Sequence, residues 1–553
     1  MRDDASVASV RHAPVLGTAL VAAAAAFVPL ASSSVTEVIR GTAGADRLIG
    51  TAQSDMLFGF GARDYLESRR GDDFLNGGNG VDVLFAGAGA DRIQAAFDGF
   101  ADRVSCGLGR DIVVAERADR VATDCEVVSR QLSRDRFRIK PAQPGTQVEP
   151  DSEARGRMIV AAFQVGRFFD GGALATGFST STDAGRTWRS GLLPRITRWT
   201  RPAGAAAFAA DPSVAYDAAT GWWLVASLTA GAGDDAVLIS RSRDGVRWQK
   251  PIRGVRGEAL DKSWVACDKW RQSRFFGRCY LAYRQGNPGS ILVARSTNGG
   301  RTWSRPATAA VGAAGKQSVN GALPLVRPNG SLVVAFTAVA GTLRGPDEVA
   351  AATSTDGGVT FMPQQRVAVV PRSPLSFFAF RAPQFVSGDV DGDGTVYLAW
   401  QGCIATPCED AEIMLATSPE GTSWSTPVRI PTATEEAHVQ SFLPALAIQP
   451  GTRGTRARLT LLYYTMDCGR LVCPIDAGVI SSADGGRTWG APQRLSAQPM
   501  PPDWLANTNQ GRMLGDYVSI SYAGGRAVGL FALAAAPSSA HLNEAIFATR
   551  LSR

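Results

Sequence analysis

The amino-acid sequence predicts an all-β protein, a six-bladed β-propeller behind an N-terminal parallel β-roll. Two nested periodicities predict it, one of nine residues near the N-terminus and one of about sixty residues thereafter. Composition agrees: 60 Gly and 30 Pro among 553 residues suit many turns and short strands better than long helices. A hydrophobic content of 45% allows a large core. The net charge is +7 and its basic side chains are nearly all Arg. Residues 41–94 run acidic, residues 1–40 balance, and the positive excess is spread thinly over the remainder. So thin a spread reads as a solvated surface, and no nucleic-acid partner is expected.

The first residues have the form of a secretory signal over residues 1–33. Arg2 and Arg11 precede an apolar stretch from Ala13 to Leu30, and the small residues Ala31, Ser32 and Ser33 follow. Asp3 and Asp4 are atypical of such a leader. A membrane anchor is the alternative, although the stretch is marginal for spanning. No later segment is apolar enough to cross a membrane, so a secreted, extracellular protein without a stable span is expected. The eight cysteines support export. They form four local couples, Cys106 with Cys125, Cys267 with Cys279, Cys403 with Cys408 and Cys468 with Cys473. Close, even couples suit disulfides in an oxidising compartment. Zinc would need Cys-x-x-Cys or Cys/His clusters, and neither is present.

The short repeat spans residues 41–94. Asp46, Asp55, Asp64, Asp73, Asp82 and Asp91 recur every nine residues without a slip. An aliphatic follows each Asp by two positions: Leu48, Leu57, Leu66, Leu75, Leu84 and Ile93. Gly44, Gly71, Gly80 and Gly89 stand two positions before four of the Asp residues. Glycine lets the backbone turn tightly with its carbonyls inward. Aspartate adds carboxylate oxygens, and Ca2+ takes six to eight hard oxygen ligands. Gly77-Gly78-Asn79-Gly80-Val81-Asp82-Val83-Leu84-Phe85 resembles the nonapeptide of RTX (hemolysin-type) calcium-binding proteins. The resemblance implies a roll in which two nonapeptides make one coil. Asp46, Asp64 and Asp82 would stack on one side and Asp55, Asp73 and Asp91 on the other, with Ca2+ between loops. Gln53 and Ala62 depart from the Gly position, as do Ser68 and Ala86 from the first Gly of the motif. Residues 95–130 continue less regularly, and Cys106 with Cys125 reads as a cap. The expected domains are a roll over 34–130, a polar linker over 131–154 and a propeller over 155–553.

The long repeat is marked by six related turns. Ser181-Thr182-Asp183-Ala184-Gly185-Arg186-Thr187-Trp188 is complete, and so is Ser482-Ala483-Asp484-Gly485-Gly486-Arg487-Thr488-Trp489. Their key position recurs at Asp183, Asp244, Asn298, Asp356, Glu420 and Asp484. This spacing suits one four-stranded blade per repeat, with the motif at a hairpin turn where Asp binds turn amides. The motif is the Asp-box, and residues 155–553 resemble the sialidase-like (BNR repeat) superfamily. Catalytic members of that superfamily use an Arg triad, a Tyr nucleophile paired with Glu, and an Asp acid/base. The chain lacks an Arg-Ile-Pro motif in its opening blade. Arg381 and Arg512 are the later Arg candidates, and Tyr517 is the preferred phenol over Tyr463 and Tyr464. Asp211, Asp261, Lys262, Arg381 and Asp516 occupy comparable places before inner strands, where they would converge near the axis. The resemblance implies an exo-α-sialidase-type glycoside hydrolase acting on terminal sugars of a glycan or glycoprotein. The alternative is a non-catalytic propeller that binds glycan or protein, with a lyase or another glycosidase as a third reading. Asp389-Val390-Asp391-Gly392-Asp393-Gly394 has D-x-D-x-D-G spacing, but Trp400 stands where an EF-hand needs Glu. A hairpin turn is the expectation there.

Overall fold

A computed structural model describes residues 37–551, apart from 232–234, 313–316, 341–345, 376–378, 404–407, 434–438 and 470–471. The expected signal segment, residues 1–33, lies outside the described residues. The N-terminal part is a roll of two parallel sheets. Strand Asp55–Phe58 pairs with Glu37–Arg40 and with Phe74–Asn76, each two repeats away. On the opposite face Tyr65–Glu67 pairs with Arg47–Ile49 and Val83–Ala88. The strands are short because each nonapeptide holds one strand and one turn. Leu57, Leu66, Leu75, Leu84 and Ile93 are fully buried between the sheets, with Leu48 at the end of the row. Each such side chain contributes about 1.5–3 kcal/mol by leaving water. Turn positions tolerate no side chain in places. A Cβ on Gly80 would lie 1.4 Å from the Ala62 carbonyl oxygen, and Gly80 has φ of 153°.

The roll extends past the regular repeats. Cys106 and Cys125 are bonded at its end, and the other three couples are bonded as expected. Strand Val127–Gln131 then pairs parallel with Ile112–Ala115 on one edge. On its other edge it pairs antiparallel with Asn543–Arg550, near the end of the chain. Roll and C-terminal strands thereby share one nine-stranded sheet. Val114, Val127 and Leu132 also share a core with Phe531, Ile546 and Phe547. Residues 131–154 are therefore not a free linker: they contain the end of that strand and most of strand Gln147–Arg155.

After residue 146 the chain forms antiparallel sheets around an axis. Their inner strands are Gln147–Arg155, Phe208–Asp217, Leu260–Cys267, Gln317–Val326, Ser387–Val390, Val439–Ile448 and Ser519–Ala523. The first two units are linked into an eight-stranded sheet by a bridge between Ala173 and Ala209. The next four are separate four-stranded sheets. The last combines Ser519–Ala523, Arg526–Ala535 and Asn543–Arg550 with Val127–Gln131. Each inner strand packs on the next, and the last packs on the first. Among the described residues the ring therefore has seven four-stranded units, not six. The boxes lie between the third and fourth strands of the first six units. In the seventh, the third strand is Asn543–Arg550 and the fourth is Val127–Gln131, far upstream in the sequence. No turn joins them, so no box marks that unit.

The boxes work as turn clamps. Asp183 Oδ1 accepts the amides of Arg186 at 3.0 Å and Thr187 at 2.9 Å, and Oδ2 accepts the Thr187 hydroxyl at 2.6 Å. Trp188 Nε1 donates to the Gly185 carbonyl at 3.2 Å and lays the indole on the blade. In the last box, hydrogen bonds from the Thr488 hydroxyl and amide draw the Asp484 carboxyl down to about 2.

Removing residues 1–131 takes away the fourth strand of the seventh unit and leaves the Asn543–Arg550 edge open. Relative to the full chain, the thermal midpoint should fall and amides of residues 543–550 should exchange faster by hydrogen-exchange mass spectrometry. Unchanged exchange there would disprove the closing role of residues 127–131.

Candidate functional site

The acidic loops of the roll form the first candidate site. From Asp64 onward, one oxygen of each repeat Asp is used by the backbone of the preceding coil. Asp64 Oδ1 accepts the Asp46 amide at 2.8 Å, and Asp82 Oδ1 accepts the Asp64 amide at 2.8 Å. On the other side Asp73 Oδ1 accepts the Asp55 amide at 2.7 Å, and Asp91 Oδ1 accepts the Asp73 amide at 2.8 Å. The second oxygens of Asp64, Asp73, Asp82 and Asp91 are buried without a hydrogen-bond partner among the described residues. Glycine leaves room beside them. A Cβ on Gly59 would lie 2.4 Å from both Asp64 Oδ2 and the Gly77 carbonyl oxygen. One on Gly77 would lie 2.4 Å from Asp82 Oδ2. Each cradle is thus lined by carboxylate and carbonyl oxygens, the donor set Ca2+ prefers.

The residues present fit the ion, and Asp64, Asp73, Asp82 and Asp91 would hold it with main-chain carbonyls. Burial pushes the Asp73 and Asp82 carboxyls up to about 6 and Asp91 up to about 7. A bound cation supplies the counter-charge that these groups lack. Gly71, Gly80 and Gly89 take the left-handed backbone their turns need, with φ of 114°, 153° and 151°. Gly44 is exposed, and its amide donates to Thr42 Oγ1 at 3.0 Å. The first coil is partly self-satisfied. Asp46 Oδ2 accepts the Thr42 amide at 2.5 Å, and Asp55 Oδ2 accepts the Thr51 amide at 2.6 Å. The ladder also runs further than the nine-residue period shows. Asp102 Oδ1 accepts the Asp82 amide at 2.8 Å, and Asp111 Oδ1 accepts the Asp91 amide at 2.9 Å.

The second candidate site lies where inner strands begin. Bulges interrupt their pairing between Val148 and Asp151, Ala210 and Ser213, Asp261 and Trp264, Asn320 and Leu323, and Phe442 and Ala445. At three of them a charged residue is held left-handed: Glu149 at φ 56°, Asp211 at 44° and Lys262 at 45°. Such a backbone costs about 1–3 kcal/mol per residue, so the surrounding packing must hold it. The Lys262 amide donates to Asp211 Oδ2 at 3.0 Å. Arg381 grips Asp516 with both arms, Nε to Oδ1 at 2.7 Å and a terminal NH2 to Oδ2 at 2.5 Å. Tyr517 donates its hydroxyl to the Pro212 carbonyl at 2.9 Å. Lys262 Nζ lies 3.1 Å from the centre of the Tyr517 ring. Asp261 Oδ2 accepts Asn320 Nδ2 at 2.8 Å. Glu149 accepts Gln164 Nε2, and Gln164 Oε1 takes an Arg167 NH1 hydrogen at 2.9 Å.

Asp211, Asp261, Lys262, Arg381, Asp516 and Tyr517 thus gather at one end of the axis. Arg512 does not join them: its NH1 donates to the Leu505 carbonyl at 2.9 Å. Glu149 escaped the sequence reading. Its signal was the acid-Pro pair it shares with Asp211-Pro212 at the head of an inner strand. Burial, then the charges of Asp516 and Asp211, push Glu149 up to about 8. Burial, then Asp261, pushes Asp211 up to about 6. Burial also opposes ionisation of Asp516, but the Arg381 guanidinium outweighs it and holds that carboxyl below its usual range. Burial and the Glu149 charge push the Tyr517 phenol well up. Tyr463 and Tyr464 are buried and donate to the carbonyls of Thr432 and Ala532.

An axial cavity of about 720 Å3 starts at this cluster, with Lys262, Asp516 and Tyr517 in its wall, and runs along the inner strands. Its lining includes Trp264, Trp270, Glu153, Lys269, Asp389 and Ser519. The Asp389 charge raises the Lys269 ammonium pKa. The 389–394 loop is a turn whose central carboxylate is occupied. Asp391 Oδ1 accepts the amides of Asp393 and Thr395, and Oδ2 accepts the Gly454 amide.

Residues 36–59 and 58–93 match the family described as RTX calcium-binding nonapeptide repeat (4 copies). No curated protein matches the chain. Among solved structures, a protein of unknown function from Dyadobacter fermentans is 17% identical, covers 64% of this chain and 99% of its own, and gives a TM-score of 0.40. An ulvan lyase structure is 10% identical over 75% of this chain and 95% of its own, with a TM-score of 0.44. A Hadza microbial sialidase is 14% identical over 73% of this chain and 66% of its own, with a TM-score of 0.36.

Two outcomes are expected. Chelating Ca2+ should lower the thermal midpoint, since an ion at a hundred times its Kd stabilises by about 2.7 kcal/mol per site. An unchanged melting curve would argue against bound ions. Burial also pushes Asp151 up to about 7, while Val214 and Ser519 donate to its carboxylate. A carboxyl raised in the fold favours the folded state below its unfolded pKa, and that contribution is lost as pH rises through 7. Asp151→Asn should therefore flatten the fall in stability between pH 5 and 8, measured by denaturant titration; an identical slope would refute this.

Proposed function

We propose that this chain is an exported, calcium-binding propeller protein that binds a glycan, taking part of the sugar chain into its axial cavity. One observation carries the reading: a cavity of about 720 Å3 whose lining residues include Trp264 and Trp270 together with Glu153, Asp389, Lys269 and Ser519. Sugars present apolar C–H faces and polar edges, and a cavity mixing aromatic walls with a few directed polar groups matches both. Four disulfides agree with an oxidising compartment. No helix among the described residues is long and apolar enough to cross a membrane.

Binding is favoured over exo-α-sialidase chemistry because the residues that chemistry needs are already engaged. Tyr517 is hydrogen-bonded to a carbonyl instead of a Glu, and Arg381 is paired through two of its nitrogens with Asp516. A second reading, hydrolysis by a carboxyl pair, has its own support. Burial pushes Glu149 up while Arg381 holds Asp516 down, and such a split suits one acid and one carboxylate.

The test is a glycan array followed by calorimetry on the strongest hit. Trp270→Ala, checked for an intact fold by circular dichroism, should weaken binding by about tenfold or more, equal to about 1.4 kcal/mol. A fluorogenic sialoside should not be turned over. Turnover lost in Tyr517→Phe would replace the binding reading with the sialidase one, and turnover of other glycosides lost in Glu149→Gln would favour the carboxyl pair.

A further inference from the structure

Coils of the roll are eighteen residues apart up to Asp82 and Asp91, and twenty apart just beyond. Val83 pairs with Arg103 and Arg92 with Ile112, where earlier partners such as Tyr65 and Val83 differ by eighteen. The extra residues fall between Ala95 and Asp102, in a loop outside the matched nonapeptides, which end at residue 93. The enlarged loop brings a carboxylate that the repeat does not contain. One oxygen each of Asp82, Asp98 and Asp102 lie within 4.8 Å of one another. Asp82 is fully buried, and its Oδ2 has no partner among the described residues. Gly77 leaves the space beside that oxygen open. The Gly80 amide approaches Asp98 Oδ2 at 3.4 Å, so the two loops face each other.

We propose that Asp98 and Asp102 join Asp82 in a site for a hard divalent cation, Ca2+ by its oxygen ligands, distinct from the one at Asp64, which fastens the roll to the closing sheet of the propeller. This rests on the reading that the roll binds calcium. Three ionised carboxylates so close repel one another, a cation among them relieves that repulsion, and carboxylate oxygens are the ligands Ca2+ takes. The fastening follows from the same loop. The amides of Phe97 and Gly99 donate to Glu116 Oε1 at 2.8 and 3.0 Å, and Arg134 pairs with that carboxylate at 2.8 Å. The Phe97 ring lies 5.3 Å from the ring of Phe547, in the strand that Val127–Gln131 closes. A cation held by Asp98 thus fixes the loop in which the preceding residue, Phe97, docks on the closing sheet.

The full chain titrated with Ca2+ by calorimetry and native mass spectrometry tests this. Asp98→Asn should bind one ion fewer than the unaltered protein, and Asp98→Glu, which keeps a carboxylate, should retain it. Asp64→Asn should remove a different ion, leaving an additive loss in the double variant. Hydrogen exchange in residues 543–550 should slow on adding Ca2+ to the unaltered protein, and slow less in Asp98→Asn. Equal stoichiometry and affinity in Asp98→Asn would overturn the site. Loss of the ion without any change in exchange would overturn the fastening. A protein that binds no Ca2+ at all would instead defeat the calcium reading of the whole roll.

Discussion

The molecule turns on one strand paired on both edges. Val127–Gln131 ends the parallel sheet of the roll and completes the antiparallel sheet that closes the ring. A ring of sheets needs its last unit to meet its first, and an unpaired outer strand there would expose a row of amides and carbonyls. Drawing the missing strand from upstream solves both problems. It also ties two repeat architectures into one core, where Val114 and Val127 meet Phe547. Whatever stabilises the roll then acts on the ring as well.

Within the roll the governing term is the desolvation of carboxylates. Asp64, Asp73, Asp82 and Asp91 each give one oxygen to a backbone amide and leave the other dry and unpaired among the described residues. Burying a charge without a partner costs several kcal/mol, so the protein must protonate these groups or supply a cation. Glycine beside them keeps the space free for an ion. The first coil takes another route: Thr42 and Thr51 satisfy Asp46 and Asp55 locally.

At the axis the strained bulges have a comparable logic. Glu149, Asp211 and Lys262 occupy a backbone region that side chains avoid, and the ring of inner strands holds them there. The result is a dense network in which Arg381 neutralises Asp516 while Glu149 and Asp211 resist ionisation. Groups that look catalytic by residue type are largely committed to one another, although Lys262, Asp516 and Tyr517 also form part of the cavity wall.

The nine-residue spacing of Asp and Leu determined the roll, because a periodic pattern records which side chain faces the core in every coil. The boxes at Asp183, Asp356 and Asp484 likewise revealed the blade turns, since each is a local hydrogen-bonded motif. The cysteine couples were legible for the same reason. The heads of inner strands were partly legible: Asp211, Asp261, Arg381 and Asp516 stood in equivalent places, and these meet. Only the tertiary structure decided the number of units, because the seventh borrows a strand from more than four hundred residues away and has no turn to mark it. It alone revealed the Asp98 carboxylate beside Asp82, and it turned Arg512 away from the cluster. Local motifs report local hydrogen bonds and periodic burial. Contacts made by chain closure, register slips and side-chain direction depend on where distant segments come to rest, and no spacing within the sequence encodes that.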